Sequence, residues 1–418
     1  MVVKQEVDAA VIDQSASFCM KKLFLSVIGM YLSILAAFSQ GKQGADSSTY
    51  RSRKLSFEEA NLVSSYYSQD GNNSPVTGGV GSEKLTDIAN VIDLKVSRYD
   101  KRNRKHVFTG EIGIDHYTSA SSDKIDPKTI SSASHADTRF YPSFGWTMEN
   151  DKKGTTVGAG ISYSSEFDYQ SFGVNVNFAQ KTRNRNGEFA AKLQAYIDQV
   201  SLIYPVELRS GSSREGDDYA TTGRNTLSGG ISWSQIINKN LQVMLDGELT
   251  YQQGYLGLPF HRVYFDDNSV HVENLPTTRL KIPLGIRANY FMGDKFILRT
   301  WYRNYHDDWG INSNAVQVET VLKLNPFLSI TPFYRFYQQS AANYFDPYQV
   351  HTAADEFYTS NYDLSKFNSN FFGAGFRIAP PEGVFKLKHF NSLELRYGHY
   401  QKTTGMNANI ISMNLRFK

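Results

Sequence analysis

At residues 306–308 the chain reads His306-Asp307-Asp308, an imidazole beside two carboxylates. Such a trio is the equipment of general-base hydrolysis, in which the imidazole takes a proton from water and a carboxylate orients the ring. A site of that kind needs a second acidic pair on a facing wall, and the comparable doublets are Asp217-Asp218 and Asp266-Asp267. The competing reading of HDDWG is a tight turn, with an Asp capping backbone amides and Gly310 taking a positive φ. His261-Arg262, within PFHRVYF, offers either an anion site or a packing contact for the neighbouring rings. Ser232 and Ser234 lack an evident histidine to activate them. HExxH, EF-hand spacing and a Gly-rich phosphate loop opening a helix are all missing, so neither a metal nor a cofactor is expected.

The elements that must hold these residues are strands. From about residue 60 onward apolar side chains recur at every second position. Leu280, Ile282, Leu284, Ile286, Ala288 and Tyr290 alternate with Lys281, Pro283, Gly285, Arg287 and Asn289; Leu241, Val243 and Leu245 alternate with Gln242 and Asp246 in the same way. The pattern predicts sixteen strands, with fourteen the alternative count, at 60–69, 87–99, 106–118, 137–149, 155–166, 169–181, 187–200, 222–235, 240–252, 278–291, 295–305, 312–323, 327–339, 367–378, 389–401 and 406–417. Short polar turns at one end and long polar segments at 119–136, 201–221, 253–277 and 340–366 are the habit of an outer-membrane barrel. Rings near strand ends, at Tyr163, Phe167, Tyr169 and Phe172, at Trp301, Tyr302 and Tyr305, and at Tyr334, Phe336 and Tyr337, read as interfacial girdles. A sandwich or propeller fits less well, because the strands are long and no repeat of propeller period occurs. The fold class is all-β, a transmembrane antiparallel β-barrel.

Composition agrees with that reading. The chain of 418 residues is 14% aromatic with a net charge of +3, yet its mean hydropathy is −0.42. Rings then serve the lipid band while a polar interior and loops lower the mean. The near balance of charge excludes the basic excess of a nucleic-acid protein. Met20-Lys21-Lys22, the apolar run Leu23–Phe38 and Ala37-Phe38-Ser39 predict a cleaved signal peptide over 1–39, with the true start at Met20. Cys19, the sole cysteine, is then no part of the mature chain. A periplasmic tail is expected over 40–59, too short for a plug domain, and the barrel over 60–418. The expected lipid partners are those of the outer membrane.

On a barrel, the alternate set faces the lumen. It comprises Asp246 and Glu248, Arg287, Arg299 and Arg303, Glu319 and Lys323, Arg335, Arg377, Glu394 and Arg396, and Arg416. Two readings stand: opposite charges pair across neighbouring strands and fill the interior, or they form a constriction that selects ions or small polar solutes.

Seven blocks resemble a family of Gram-negative outer-membrane barrels known as a domain of unknown function. They are PVTGGVGSEKLTD (Pro75 to Asp87), DHYTSASSD (Asp115 to Asp123), SSASHADTR (Ser131 to Arg139), SSEFDYQS (Ser164 to Ser171), PFHRVYF (Pro259 to Phe265), YRNYHDDWGI (Tyr302 to Ile311) and RFYQQSAANYF (Arg335 to Phe345). The resemblance implies the fold, the location and a role in an envelope flavin or redox system beside a small envelope lipoprotein. The expected function is a structural or conduit component of the cell envelope rather than an enzyme. The alternative is a barrel hydrolase using His306, Asp307 and Asp308.

Overall fold

Inside a bilayer every backbone amide and carbonyl must find a partner within the protein, so strands cross only as a closed ring. The computed structural model, which describes residues 53–118, 136–209 and 219–418, is such a ring. Its strands are β1 (Ser56–Asp70), β2 (Leu85–Tyr99), β3 (Lys105–Thr118), β4 (Ala136–Asn150), β5 (Thr155–Ser165), β6 (Tyr169–Lys181), β7 (Gly187–Ser201), β8 (Thr221–Asn238) and β9 (Leu241–Gly254). A two-stranded ribbon, β10 (Arg262–Tyr264) and β11 (Val270–Val272), follows outside the wall. The wall resumes with β12 (Thr278–Met292), β13 (Phe296–Asp307), β14 (Asn312–Asn325), β15 (Leu328–Gln339), β16 (Phe367–Ile378), β17 (Phe390–Lys402) and β18 (Asn407–Phe417). Sixteen strands pair antiparallel in chain order, β9 with β12, and β1 closes on β18 with Tyr66 opposite Ile411.

Period two assigns the two faces. Ile286 stands opposite Tyr302, Tyr302 opposite Val316 and Val316 opposite Phe336, and this apolar row runs round the outside. Ile197, Leu193, Ile231 and Leu227 are each about three-fifths exposed, from 59% to 66%. In water so continuous an apolar surface would aggregate; against lipid it is the favourable solvent-facing side. Two sets of outward rings bracket the band, Tyr163, Tyr251, Tyr302, Tyr334 and Tyr397 towards the long-loop end and Trp233, Tyr290, Phe296, Phe327 and Phe376 towards the other. Tyr302, Tyr334 and Tyr397 donate their hydroxyls to Asn314, Asn370 and Asn409, as amphipathic rings at an interface do.

The structure corrects the sequence reading in particular places. Tyr169, Trp301, Tyr305 and Tyr337 alternate with the girdle residues beside them and point into the lumen, where Tyr169 bonds Asp198 and Tyr305 bonds Asp307. β1 begins at Ser56 rather than at 60, because a bulge between Phe57 and Glu59 breaks the alternation there. The connections 166–168, 308–311 and 403–406, at the long-loop end, are tight, and 379–389 is an extended connection at the other. The expected signal peptide over 1–39, Cys19 and Asp217-Asp218 lie outside the described residues.

The outward face predicts its own test. Ile231→Arg, near the middle of β8, should destabilise insertion by about 2–4 kcal/mol, the cost of a basic side chain at the bilayer midplane. Ser232→Arg, one residue on and facing in, should cost far less. Denaturant titration of the protein folded in lipid vesicles measures both.

Candidate functional site

The His306-Asp307-Asp308 trio comes apart in three directions. His306 pairs in register with Ile282 and stands on the outer face, whereas Asp307 points inward. Asp307 Oδ2 accepts from the Arg279 guanidinium at 2.5 and 2.9 Å and from the Tyr305 hydroxyl at 2.7 Å. Its Oδ1 accepts the amides of Trp309 and Ile311, and Asp308 accepts the amide of Leu280. Gly310 takes φ +90°. This is the turn, with its carboxylates engaged in holding backbone and none facing the imidazole. Asp266-Asp267 does no better as an opposed pair: Asp267 caps Ser269 within its own ribbon. Ser232 and Ser234 point inward, opposite Asp246 and Met244.

The inward set has a geometry of its own. Glu319 lies in β14, and its carboxylate takes Arg299 of β13 at 2.9 Å and Arg396 of β17 at 2.6 Å. Two strands stand between β14 and β17, so the second bond spans the interior. Register places Arg287, Arg303, Arg335, Arg377, Glu394 and Arg416 on the same inner face. Among the described residues Arg287 and Arg303 have no carboxylate within salt-bridge distance, and both are exposed although they face inward. The Arg299 side chain keeps 51% of its surface. The interior at mid-height therefore leaves these guanidiniums solvent-accessible. Cross-strand neutralisation, one of the two expected readings, accounts for Glu319 but not for these arginines.

Instead the charges segregate. Strands β12 to β17 present seven inward arginines at Arg279, Arg287, Arg299, Arg303, Arg335, Arg377 and Arg396 against Asp307, Glu319 and Glu394. The wall from β2 to β9 presents Asp93, Glu111, Asp115, Asp198, Asp246 and Glu248, interspersed with Lys95, Arg139, Lys192 and Arg224. β3 and β13 stand diametrically opposite in the ring. The lumen thus carries a net field across its width, strongly basic on the β12–β17 side and of mixed charge with an acidic excess on the other. A recess lined by Lys192, Ser232, Asp246, Glu248 and Arg303 lies where the two walls meet beside β9.

Over this lumen the loops form a cover. The connections 71–84 and 255–277 leave the ring on opposite sides, with six strands between them either way. They meet at Arg262, which is 1% exposed. Its Nη1 donates to the carbonyl of Val76 at 2.7 Å, while Nε and Nη2 grip Glu207, from the connection 202–220, at 2.5 and 3.2 Å. Gly78, at φ +77°, lets the first loop approach: a Cβ there would stand 2.5 Å from the Tyr264 ring. The fourth partner is 340–366. Buried Glu273 accepts from Thr359 Oγ1 at 2.5 Å and from the Leu258 amide at 2.8 Å, and lies 3.5 Å from His261. The backbones of Asn274 and Tyr358 exchange two hydrogen bonds. Lys402 and Gln339 of the wall hold Asp363 and Ser365 of that loop. Inward residues at the outer end, among them Ser313, Ser369 and Ala408, are buried. His261 and Arg262 consequently pack and brace; they face no open anion site.

A closed, even-stranded antiparallel ring with an apolar belt, two aromatic girdles and a hydrated charged interior is a membrane-spanning barrel of the outer-membrane, porin-like class. The chain belongs to the family described as "Protein of unknown function (DUF3570)", whose model matches residues 101–410. No curated protein matches it in sequence. Among solved structures it is similar to a bacterial polysaccharide outer membrane secretin, at 10% identity over 86% of this chain and 98% of that one, with a TM-score of 0.42. It is also similar to a BenF-like porin from Pseudomonas fluorescens Pf-5, at 8% identity over 88% and 100%, TM-score 0.40. A third is OccD3 (OpdP) of Pseudomonas aeruginosa, at 8% over 91% and 96%, TM-score 0.43.

The cover is built to weaken in acid. Burial raises the Glu273 carboxyl, but His261 and the bonds from Thr359 and Leu258 outweigh it and hold its pKa below the ordinary 4.5. Glu207 is likewise raised by burial and lowered further by Arg262. A depressed carboxyl contributes stability that is complete above its unfolded value and lost as pH falls through the folded one. Amide hydrogen exchange over 255–277 and 340–366 should therefore stay slow at pH 6 and accelerate below about pH 4.5, after correction for intrinsic rates, while the strands remain protected.

Proposed function

We propose that the protein is a gated conduit of the outer membrane, passing small anionic solutes between the exterior and the periplasm. The observation that supports this most is the pairing of a hydrated, transversely polarised lumen with a cover whose loops meet from opposite sides of the ring. Uncompensated arginines along one wall lower the energy of an anion moving through a narrow, low-dielectric passage, and the acidic wall opposite orients solutes that carry both signs. The short-turn end, to which β1 and β18 return, faces the periplasm by the habit of the class. Delivery by a cleaved signal, and a small lipoprotein as partner, belong to the same proposal. The envelope redox role implied by family resemblance adds no residue to it. Hydrolysis has no support from the rim, since His306, Asp307 and Asp308 do not converge.

Arg262 is the bolt of the cover. Its charge-assisted bonds are worth about 1.5–3 kcal/mol each, and every 1.4 kcal/mol is about a tenfold change in the open population. In planar bilayers at neutral pH, wild-type protein should be mostly silent. Arg262→Ala should raise the open probability at least about tenfold, with a reversal potential under a KCl gradient that favours chloride. A variant as silent as wild type, or one that prefers potassium, would sink the proposal.

A further inference from the structure

One row of the basic wall contains more than charge. Register across β12 to β17 sets Arg287 beside Trp301, Trp301 beside Gln317, Gln317 beside Arg335, Arg335 beside Phe371 and Phe371 beside Tyr400. Guanidinium, indole, amide, guanidinium and two further rings thus follow one another round the inner face at the spacing of neighbouring strands. Trp301 and its neighbours line a recess of about 340 Å³ together with Asn289, Arg299 and Glu319.

The row is built rather than incidental. Arg335 donates Nε to Gln317 at 2.9 Å, and its guanidinium carbon lies 5.7 Å from the Trp301 ring centre and 5.5 Å from that of Phe371. Phe371 in turn packs 5.0 Å from Phe333, over which Arg396 lies at 4.3 Å. Room for Phe371 comes from Gly398, where a Cβ would stand 2.5 Å from its ring. Stacking and the Gln317 bond fix Arg335 in place and leave its terminal nitrogens without a carboxylate among the described residues. Glu319, the acid of this recess, is already shared by Arg299 and Arg396.

A bare inorganic anion would use the guanidiniums and gain nothing from the indole. A cation or neutral arene would use the indole and face unneutralised arginine. The ligand that uses both has a flat aromatic ring and an anionic head, carboxylate or phosphate, which guanidinium meets edge-on through paired hydrogen bonds. The geometry points to this recess as a binding site for aromatic organic anions, with Trp301 the platform and Arg335 and Arg287 the clamps. The inference deepens the conduit proposal and rests on its reading of the lumen as solvent-accessible: it names what the basic wall holds on the way through.

Calorimetric titration of the full-length protein in detergent micelles tests it without requiring conduction. Benzoate and phenyl phosphate should bind at least about tenfold more tightly than acetate and inorganic phosphate, and benzyl alcohol should not bind; comparison of the two aromatic anions shows which head is preferred. Arg335→Gln and Trp301→Leu should each weaken the aromatic anions about tenfold or more, and Trp301→Leu should leave acetate unchanged. Heat-modifiable migration on gels verifies that each variant is folded. Affinity for both aromatic anions no better than for acetate and inorganic phosphate, or wild-type affinity in a folded Arg335→Gln, overturns the inference, as does an absence of binding by both benzoate and phenyl phosphate. Binding without chloride-favouring conductance in Arg262→Ala would leave the site standing and remove the conduit; conductance without binding would do the reverse.

Discussion

Everything in this molecule depends on the satisfaction of backbone hydrogen bonds where no water is available. An open sheet edge in hydrocarbon leaves several kcal/mol uncompensated for each unpaired group, about the worth of a bond made without competition from water. The seam between β1 and β18 removes that edge, running in register from Ala60 opposite Phe417 to Asp70 opposite Asn407. Once the ring is closed, the strand period is binding at every position. A side chain faces lipid or lumen, and a slip of one residue would exchange the two sets. Tyr302 beside Arg303 shows the consequence: adjacent residues, one hydrogen-bonded to Asn314 on the outer surface, the other inside with Asp246 and Glu248.

Closure also frees the inner face from any duty to hold the fold. The wall is held by its ladder and by lipid, so inward residues serve the lumen's electrostatics. That is why arginine after arginine is tolerated from β12 to β17 with few carboxylates among them. Each is partly solvated, and the desolvation that makes an unpaired buried charge costly is largely avoided. Glu319, like Asp307 and Asp198, is a buried acid held by guanidinium, and it alone of the three takes two. It joins β13 to β17 through the interior and shapes the recess beside Trp301. The cover obeys the opposite rule. Arg262 is out of water, and its donors are accounted for by Glu207 and Val76 because an unsatisfied guanidinium there would be destabilising.

Much of the wall was legible in the sequence because period two is a local signal. Sixteen strand positions, the inward side of Arg287 or Glu319 and the turn at HDDWG all follow from neighbours within a few residues. Where alternation is interrupted, at the bulge after Phe57, the boundary was misplaced; where a strand is three residues long, as in β10 and β11, there is no period to read. Girdle rings were over-assigned at Trp301 and Tyr305 because clustering of aromatics was read without regard to parity. The cover was not legible. Its bonds join Arg262 to Val76 across 186 positions and Glu273 to Thr359 across 86, and nothing at those residues announces the partner. Segregation of charge round the ring was missed for a related reason: it appears only when β3 is set opposite β13.

The cover and the wall differ in a way that bears on how such a barrel could open. Wall pairs are ladder bonds shielded by lipid, and they change together or not at all. Cover contacts are side-chain bonds and a few backbone bonds between segments that each have their own anchorage on the rim. The loop 340–366 is tied down by Lys402 and Gln339, so it moves with the wall. The loops 71–84 and 202–220, by contrast, converge on the Arg262 side chain of 255–277, with Gly78 packed against the Tyr264 ring. Glu207 keeps 37% of its side-chain surface in solvent, which makes its half of that ion pair weaker than a fully buried one. The asymmetry places the yielding point on the Glu207 side of Arg262. Opening there would swing loops aside while Glu273, Thr359 and the strands keep their bonds, so the lumen could be exposed without any cost to the ring that makes it.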